Sequence, residues 1–471
     1  MDYDDFRRHA HQLADWMADY FRDVGTLPVT PGVEPGEVVR QIIATPPEHA
    51  EPFDAMMRDF REVIMPGVTH WNHPGWFAYF PANNSPPSVL AEMLTATLGA
   101  QCMSWATSPA ATELEQAMMD WLRQMLALPA DFVGVIQDTA STATLVALLS
   151  ARERATGHLS GVRGLPGTAG TLTVYASTEA HSSVDKGVKL AGYGLDQLRK
   201  IAVDAAYAMR PEELERAMAA DVDAGLTPAC VVATVGTTSS TAIDPLPAIA
   251  AICRRHRAWF HVDAAYAGAA AIVPELRPLF GGMEQADSFV FNPHKWLLVN
   301  FDCSAYFVRD REALLRTFQV SPEYLRTEQD PAVVNFRDWG IQLGRRFRAL
   351  KLWFVIRSYG VEGLRSLIRK HIALAHELSG WIGETPDFEL MAPVPFGLVC
   401  FRYHPEGFAD SELNDLNRQL LARVNATRRV HLTHTQLNGR YVIRMAVGQR
   451  TTEREHVAEA WGLIKEAAGA P

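Results

Sequence analysis

No C-x-x-C pair occurs in this 471-residue sequence, and its five cysteines, Cys102, Cys230, Cys253, Cys303 and Cys400, are odd in number and widely separated. That pattern argues against a disulfide framework and against a zinc site; reduced thiols in a cytosol fit it best. Long apolar runs are lacking too. None approaches the roughly 20 residues of a membrane-spanning helix, and the most apolar windows are interrupted by Asp263 or Lys295. The opening Met1-Asp2-Tyr3-Asp4-Asp5 is acidic and has no apolar signal core. Basic residues come in scattered pairs, Arg254-Arg255, Arg345-Arg346 and Arg428-Arg429, in a chain of 44 basic and 54 acidic residues with a net charge of −10. No nucleic-acid footprint is expected from such a distribution. G-x-S-x-G is missing as well, which weakens any hydrolase reading. The expectation is a cytoplasmic protein with neither a membrane nor a nucleic acid as partner.

What is present reads as a globular chain, 48% hydrophobic and 21% charged, and too long for one core. Leu13, Trp16, Met17, Tyr20 and Phe21 predict an amphipathic opening helix. Prolines follow at 28, 31, 35, 46 and 47, so this opening has to wrap onto something else. The segment His70 to Pro81, H-W-N-H-P-G-W-F-A-Y-F-P, is dense in aromatics, the composition of a core or an interface and less often of a pocket. Leu114, Ala117, Met118, Trp121, Leu122 and Met125 predict a further helix closed by Pro129. Beyond it, candidate strands Leu172–Tyr175, Cys230–Val235, Trp259–Val262, Phe289–Phe291 and Ala305–Val308 alternate with helical stretches such as Thr144–Arg154, Glu212–Ala220 and Leu246–Arg255. Alternation of this kind predicts an open, largely parallel sheet covered on both faces. Gly161–Gly170 reads as a loop. The last hundred residues read as helix, strands, helix, with strands Val430–Thr433 and Tyr441–Val447 about an Asn438-Gly439 turn. Thr452 and Glu455 have the spacing of a capping box for the final helix.

The chemistry is organised around S-F-V-F-N-P-H-K-W-L-L-V-N, residues 288–300. Lys295 stands there among apolar neighbours, and burying an unpaired ammonium is costly. Desolvation lowers a lysine's pKa, and a partly neutral amine can attack an aldehyde. A lysine that lays its stem along apolar surface with its head in water is the alternative. In a parallel sheet, ligands bind beyond the carboxyl ends of the strands. Reading those ends in turn gives Asp263, Gly236-Thr237-Thr238, His181-Ser182-Ser183 and Asn292. Asp138-Thr139-Ala140-Ser141-Thr142 precedes a helix and suits an anion, although plain N-capping explains the same residues. An amine, a carboxylate, an imidazole and a phosphate cradle together match the needs of pyridoxal phosphate. A carboxylate keeps the pyridine nitrogen protonated, and the protonated ring accepts electrons from a breaking bond to Cα.

The segments G-V-I-Q-D-T-A-S, H-V-D-A-A-Y-A-G, N-P-H-K-W-L-L-V-N-F-D-C-S and L-G-R-R-F-R-A-L-K resemble the aromatic-L-amino-acid decarboxylases, pyridoxal-phosphate-dependent group II decarboxylases. The resemblance implies an α/β fold of the PLP-dependent transferase type (fold type I). It implies an N-terminal helical dimerisation segment at 1–85, a large cofactor-binding domain at 86–360 and a small α+β domain at 361–471. By position it makes Lys295 the Schiff-base lysine, Asp263 the pyridinium partner and His181 the histidine stacked on the ring, with Ala265 against the other face. Ala140, Ser141, Ser288 and Asn292 match phosphate contacts, Thr238 lies near cofactor and substrate, and His294 is a pocket residue. Tyr324, in V-S-P-E-Y-L-R-T, matches the loop tyrosine that protonates Cα after carbon dioxide leaves.

Trp71, Tyr79, Phe80, Pro81 and Ala82 resemble the aromatic side-chain pocket, and Gly344 a position that leaves room for an indole or a catechol. Gln101 and Met103 match residues that a neighbouring subunit contributes, which implies a homodimer with shared sites. The family has glycine where Asp138 stands and glutamate where Thr142 stands. A carboxylate at Asp138 would repel phosphate unless it turns away. Arg444 reads as a surface or structural arginine rather than a carboxylate binder. Keeping Tyr324 and His181 favours decarboxylation of an aromatic L-amino acid to its amine. The rivals are an aldehyde synthase on the same scaffold and a silent homologue that binds a ligand or partner.

Overall fold

Strand residues in the middle of the chain are apolar on both faces, the pattern of a sheet covered on two sides by helices. The computed structural model describes residues 1–42, 45–167, 170–320, 322–325 and 327–469. Seven strands form the sheet: β1 (Val133–Gln137), β2 (Leu172–Ser177), β3 (Leu198–Ile201), β4 (Thr227–Thr234), β5 (Trp259–Asp263), β6 (Ser288–Phe291) and β7 (Ser304–Val308). Their order is β1-β7-β6-β5-β4-β2-β3. Pairing is parallel from β3 through β2, β4 and β5 to β6, and β7 runs antiparallel to both its neighbours. This is the mostly parallel α/β sheet that the strand–helix alternation predicts.

The Ala140–Ala155 helix buries Ala143, Val146, Ala147, Leu148 and Ala151 in the same core as Val174, Cys230, Val232 and Val290. Each fully buried valine or leucine side chain contributes about 1.5–3 kcal/mol. Register then places the chemistry. Thr234 lies opposite Asp263, and Asp263 opposite Val290, so β4, β5 and β6 end almost level and release their following loops at one edge. Two glycines let those loops pack closely. A Cβ on Gly236 would stand 2.6 Å from Ala267 Cβ, and one on Gly268 would stand 2.4 Å from Phe291 Cβ.

The chain divides into two compact units, one of Ala82–Thr385 with Glu389–Phe401, the other of Met1–Pro81 with Pro386–Phe388 and Arg402–Pro471. In the second unit the opening helix Tyr3–Asp23 is followed by backbone that bonds to the C-terminal part, as Val29 N–H to the Arg428 carbonyl at 2.8 Å and Phe77 N–H to the His431 carbonyl at 2.9 Å. A second, four-stranded sheet has the order β10-β11-β9-β8, with β8 at Phe388–Leu390, β9 at Leu398–Tyr403, β10 at Thr433–Leu437 and β11 at Arg440–Ala446. Asn438 and Gly439 make its tight turn, both with positive φ (51° and 76°).

Three local expectations change. The strand expected at Val430–Thr433 begins only at Thr433, because His431 spends its backbone on Gly75 and Phe77 instead. Thr452 does not cap the last helix, Arg454–Gly469; it is buried and its hydroxyl donates to the Pro74 carbonyl at 2.8 Å. Within Gly161–Gly170, residues Ser160–Arg163 form a helical turn and Leu165–Gly167 a 3-10 turn, while Thr168 and Ala169 lie outside the described residues.

Candidate active site

Strand β6 ends at Phe291, and Asn292 leads into the single turn Pro293–Trp296, with proline at its first position, where a missing N–H costs nothing. The exits of β5 and β6 stay side by side: Ala264 N–H donates to the Val290 carbonyl at 2.9 Å and Asn292 N–H to the Ala265 carbonyl at 3.0 Å. Lys295 N–H closes the turn on the Asn292 carbonyl at 2.9 Å, and Asn83 Nδ2 donates to the Lys295 carbonyl at 3.0 Å. The backbone that aims Lys295 is thus fixed from two sides. Burial holds its amine below the usual lysine pKa, and the nearby Asp263 carboxylate opposes that shift.

Asp263 is buried at the last position of β5, and its Oδ1 accepts from Ala265 N–H at 3.0 Å. His181 follows β2. Its Nδ1 accepts from Ser183 N–H at 3.1 Å, with Ser183 Oγ at 2.9 Å, which leaves the ring proton of the neutral imidazole on Nε2. Part of the ring is open to solvent, yet desolvation of the rest holds the His181 pKa down; Asp263 pulls it up and Lys295 pushes it down again. The amine, the carboxylate and the imidazole therefore act on one another at one edge of the sheet.

Thr238 is exposed in the loop after β4. Asp244 shapes that loop, a residue the sequence reading overlooked. Its two carboxylate oxygens accept from Met209 N–H and Thr234 N–H, each at 2.7 Å, and burial pushes its pKa up to about 6.

Ala140 and Ser141 are the first two residues of a 16-residue helix whose N-cap is Thr139. The carboxylate of Asp138 is bonded at both oxygens. Oδ1 accepts from Thr139 N–H at 2.6 Å and Oδ2 from Gln342 Nε2 at 2.9 Å.

Ser288 is a correction. It opens β6, at the end remote from Lys295, some 10 Å away along the strand at about 3.3 Å per residue. Its Oγ is engaged in the core by Trp259 Nε1 and by His261 Nδ1, both at 2.8 Å, so it cannot serve the edge where Lys295 lies. Asn292 is at that edge, but its Oδ1 already accepts from Ser304 Oγ at 2.7 Å. Beside it, His294 is buried with Nδ1 accepting from Cys303 N–H at 3.0 Å.

Ala265 is half-buried two residues after Asp263. Tyr324 sits in the turn Glu323–Leu325 with its residue 78% exposed. Gly344 abuts Gln101: a Cβ there would stand 3.2 Å from Gln101 Nε2. The carbonyl of Met103 accepts from Arg337 N–H at 2.9 Å.

In the other unit, Trp71 and Tyr79 are exposed and stack at 5.7 Å, while Phe80 and Pro81 are buried and Ala82, the first residue of the larger unit, is half-buried. Arg444 is buried there over the Phe80 ring at 5.3 Å, with NH1 bonded to Thr433 Oγ1 at 3.0 Å, so it is structural and not a surface residue.

The R-R-F-R-A-L-K segment is fully paired. Arg345 binds Glu115 twice (2.6 and 3.0 Å), Arg346 binds Glu92, Arg348 meets Asp302 at 2.8 Å and Lys351 meets Glu92 at 2.9 Å. Glu92 also accepts from Asn300 Nδ2 at 3.1 Å, which ties the stretch after Lys295 to the Pro86–Leu98 helix.

Comparison with known proteins agrees with this geometry. The model of the pyridoxal-dependent decarboxylase conserved domain matches residues 35–404. The chain belongs to the pyridoxal-dependent decarboxylase family. The aromatic-L-amino-acid decarboxylase of Bos taurus is 46% identical over 481 residues, covering 99% of this chain and 97% of that protein. The phenylacetaldehyde synthase of Arabidopsis thaliana is 44% identical over 478 residues, 99% of this chain and 96% of that protein. A structure of Oryza sativa TDC with PLP and tryptamine matches with a TM-score of 0.96 at 40% identity, over 99% of this chain and 98% of that one.

The decarboxylase is a carboxy-lyase that works with pyridoxal 5'-phosphate, and its residues fit that group. An amine of lowered pKa, a carboxylate at the end of β5 and a long helix that begins at Ala140 are the donor set it needs.

Buried titratable groups in the large unit predict how the decarboxylase responds to acid. Burial holds His294 down at about 3 and His261 at about 4. Each group has a folded pKa below its unfolded value, so the stability it contributes is present above about pH 6.5 and is lost as pH falls toward those values. Asp244, raised to about 6, works the other way: its contribution is present below the ordinary carboxylate range and lost as pH rises through about 6. Two histidines outweigh one aspartate in that window. The unfolding free energy from urea titrations, and with it the midpoint, should fall between pH 6.5 and 4, these three groups together supplying roughly 1.4 kcal/mol per pH unit, and His294→Phe should flatten the slope. A midpoint independent of pH there would contradict the buried neutral state of both rings.

Proposed function

We propose that this enzyme removes the carboxylate of aromatic L-amino acids (tryptophan, DOPA, tyrosine or phenylalanine) and releases the arylalkylamine and carbon dioxide. The observation that carries the reading is the buried Lys295 amine, lowered in pKa and acting with Asp263 and His181 at one sheet edge. When bound, pyridoxal phosphate supplies a protonated ring that accepts the electron pair of the breaking Cα–carboxylate bond. Lys295 would hold the cofactor's aldehyde carbon, Asp263 would keep the ring nitrogen protonated, and His181 and Ala265 would lie against the ring. Ala140 and Ser141 receive the phosphate at the helix start, where free N–H groups and the helix dipole favour an anion. Thr238, Asn292 and His294 line the same edge, and Tyr324 returns a proton to Cα.

The aromatic side chain is received by Trp71, Tyr79, Phe80, Pro81 and Ala82, with Gly344 leaving room for a large ring and Gln101 and Met103 supplied across a homodimer. Leu90, Leu94 and Leu98, exposed at four-residue spacing on the Pro86–Leu98 helix beside Met93, support such a second copy, because a stripe of this kind needs cover. Five buried free thiols support a cytosolic location. Among the described residues no helix is long and apolar enough to cross a membrane.

The aldehyde-synthase reading stays in play because a phenylacetaldehyde synthase is nearly as similar as an aromatic-L-amino-acid decarboxylase, 44% against 46%. Incubation with the four amino acids and the cofactor, with amine, aldehyde, ammonia and peroxide quantified, separates the two. Amine without peroxide is expected; peroxide and ammonia released with aldehyde would replace the first reading by the second.

A further inference from the structure

We propose that Gln342 is a positioning residue, a latch that occupies one oxygen of the Asp138 carboxylate beside the anion-binding start of the Ala140–Ala155 helix, keeps that oxygen from facing the phosphate, and so sets cofactor affinity. The inference rests on the placement of the phosphate at Ala140 and Ser141. Asp138 stands between β1 and the helix, one residue before the N-cap. A carboxylate so close to a helix start is attracted by the same N–H groups that would bind a phosphate, and it repels a second anion there. Oδ1 accepts from the N-cap's own N–H, that of Thr139 (2.6 Å), while Oδ2 is drawn to Gln342 Nε2 (2.9 Å). Burial works against its charge, but the Thr142 hydroxyl, Thr139 N–H, Gln342 and the positive Arg348 more than offset that and keep it ionised.

Gln342 is able to hold this position because its segment is pinned on either side. Upstream, Gln137 Nε2 donates to the Trp339 carbonyl at 3.4 Å, and Gly340 packs so tightly that a Cβ would stand 2.9 Å from the same nitrogen. Downstream, Arg345 N–H donates to Gln101 Oε1 at 2.7 Å and the Arg345 guanidinium grips Glu115. The same pins frame Gly344. Cofactor retention and the space beside Gly344 therefore depend on one braced segment.

The test uses full-length apoenzyme titrated with pyridoxal phosphate, read by quenching of tryptophan fluorescence, for the wild type, Gln342→Ala, Asp138→Asn and the double variant. Gln342→Ala should weaken binding about tenfold at low salt, and less at high salt, because it frees a charge beside the phosphate. Asp138→Asn should bind no more weakly than the wild type, and the double variant should match Asp138→Asn. Gln342→Ala binding like the wild type would overturn the latch, as would a double variant as weak as Gln342→Ala, which would mark loosened structure instead of a released charge. Thermal melting of each apo variant checks that it folds. Wild-type apoenzyme that takes up no cofactor would overturn the proposed function along with the latch, whereas normal uptake with no response to Gln342 overturns the latch alone.

Discussion

With Lys295 replaced by alanine, carbon dioxide release from every aromatic amino acid should drop by roughly 10⁴-fold or more, the scale seen when a covalent participant is removed. The visible absorption band of the lysine-bound cofactor should vanish with it. The reason lies in three separate features. Strand β6 delivers Lys295 to the sheet edge, the short turn after Asn292 fixes its backbone, and burial lowers its amine pKa so that a neutral nucleophile is available. Arginine at the same position divides charge from nucleophilicity: it keeps a cation near Asp263 but cannot lose its proton. Lys295→Arg should therefore be as inactive as Lys295→Ala. Turnover retained by either variant would remove Lys295 from the chemistry. Near-UV circular dichroism should be unchanged, since the short turn is held by its backbone and by Asn83.

Much of the large unit was legible because its strands are short apolar runs at the sheet centre, and those positions carry both fold and chemistry. Cys230–Val235 and Trp259–Val262 lie within one residue of the C-terminal ends of β4 and β5. Edge elements were less visible. Strand β3 reads Leu-Arg-Lys-Ile, a run whose two basic residues suit an exposed edge and hide the strand from an apolar-pattern search. At the site, Lys295, Asp263 and His181 could be chosen because each follows a recognisable strand. The residues that hold them could not. Gln342 meets Asp138 across 204 residues and Glu115 meets Arg345 across 230, separations with no local signal. Ser288 misled for a related reason: its place in the motif says nothing about which end of β6 its hydroxyl serves, and the register with His261 puts it at the wrong one. Asp244 went unnoticed because a lone Asp-Pro reads as a turn, when its side chain in fact holds two backbone N–H groups.

Tyr324→Phe should change the product more than the protein. Tyr324 is 78% exposed in a single turn, so loss of its hydroxyl should alter stability by no more than about 0.5 kcal/mol. If that hydroxyl supplies the proton that Cα needs after carbon dioxide departs, amine formation should fall by about 10²-fold. The unprotonated carbon then remains exposed to dioxygen. Amino acid, dioxygen and water would yield aldehyde, carbon dioxide, ammonia and hydrogen peroxide in equal amounts, with dioxygen as the oxidant that takes up the two electrons. Oxygen-electrode traces should show uptake in the variant and little in the wild type, and catalase should return half of the oxygen consumed. His181 sharpens the expectation, because the imidazole beside the amine stays in place and neutral, so the substitution isolates one proton donor. An unchanged amine yield with no oxygen uptake would take the role from Tyr324 and leave a group at the buried edge, or water, as the source of the proton.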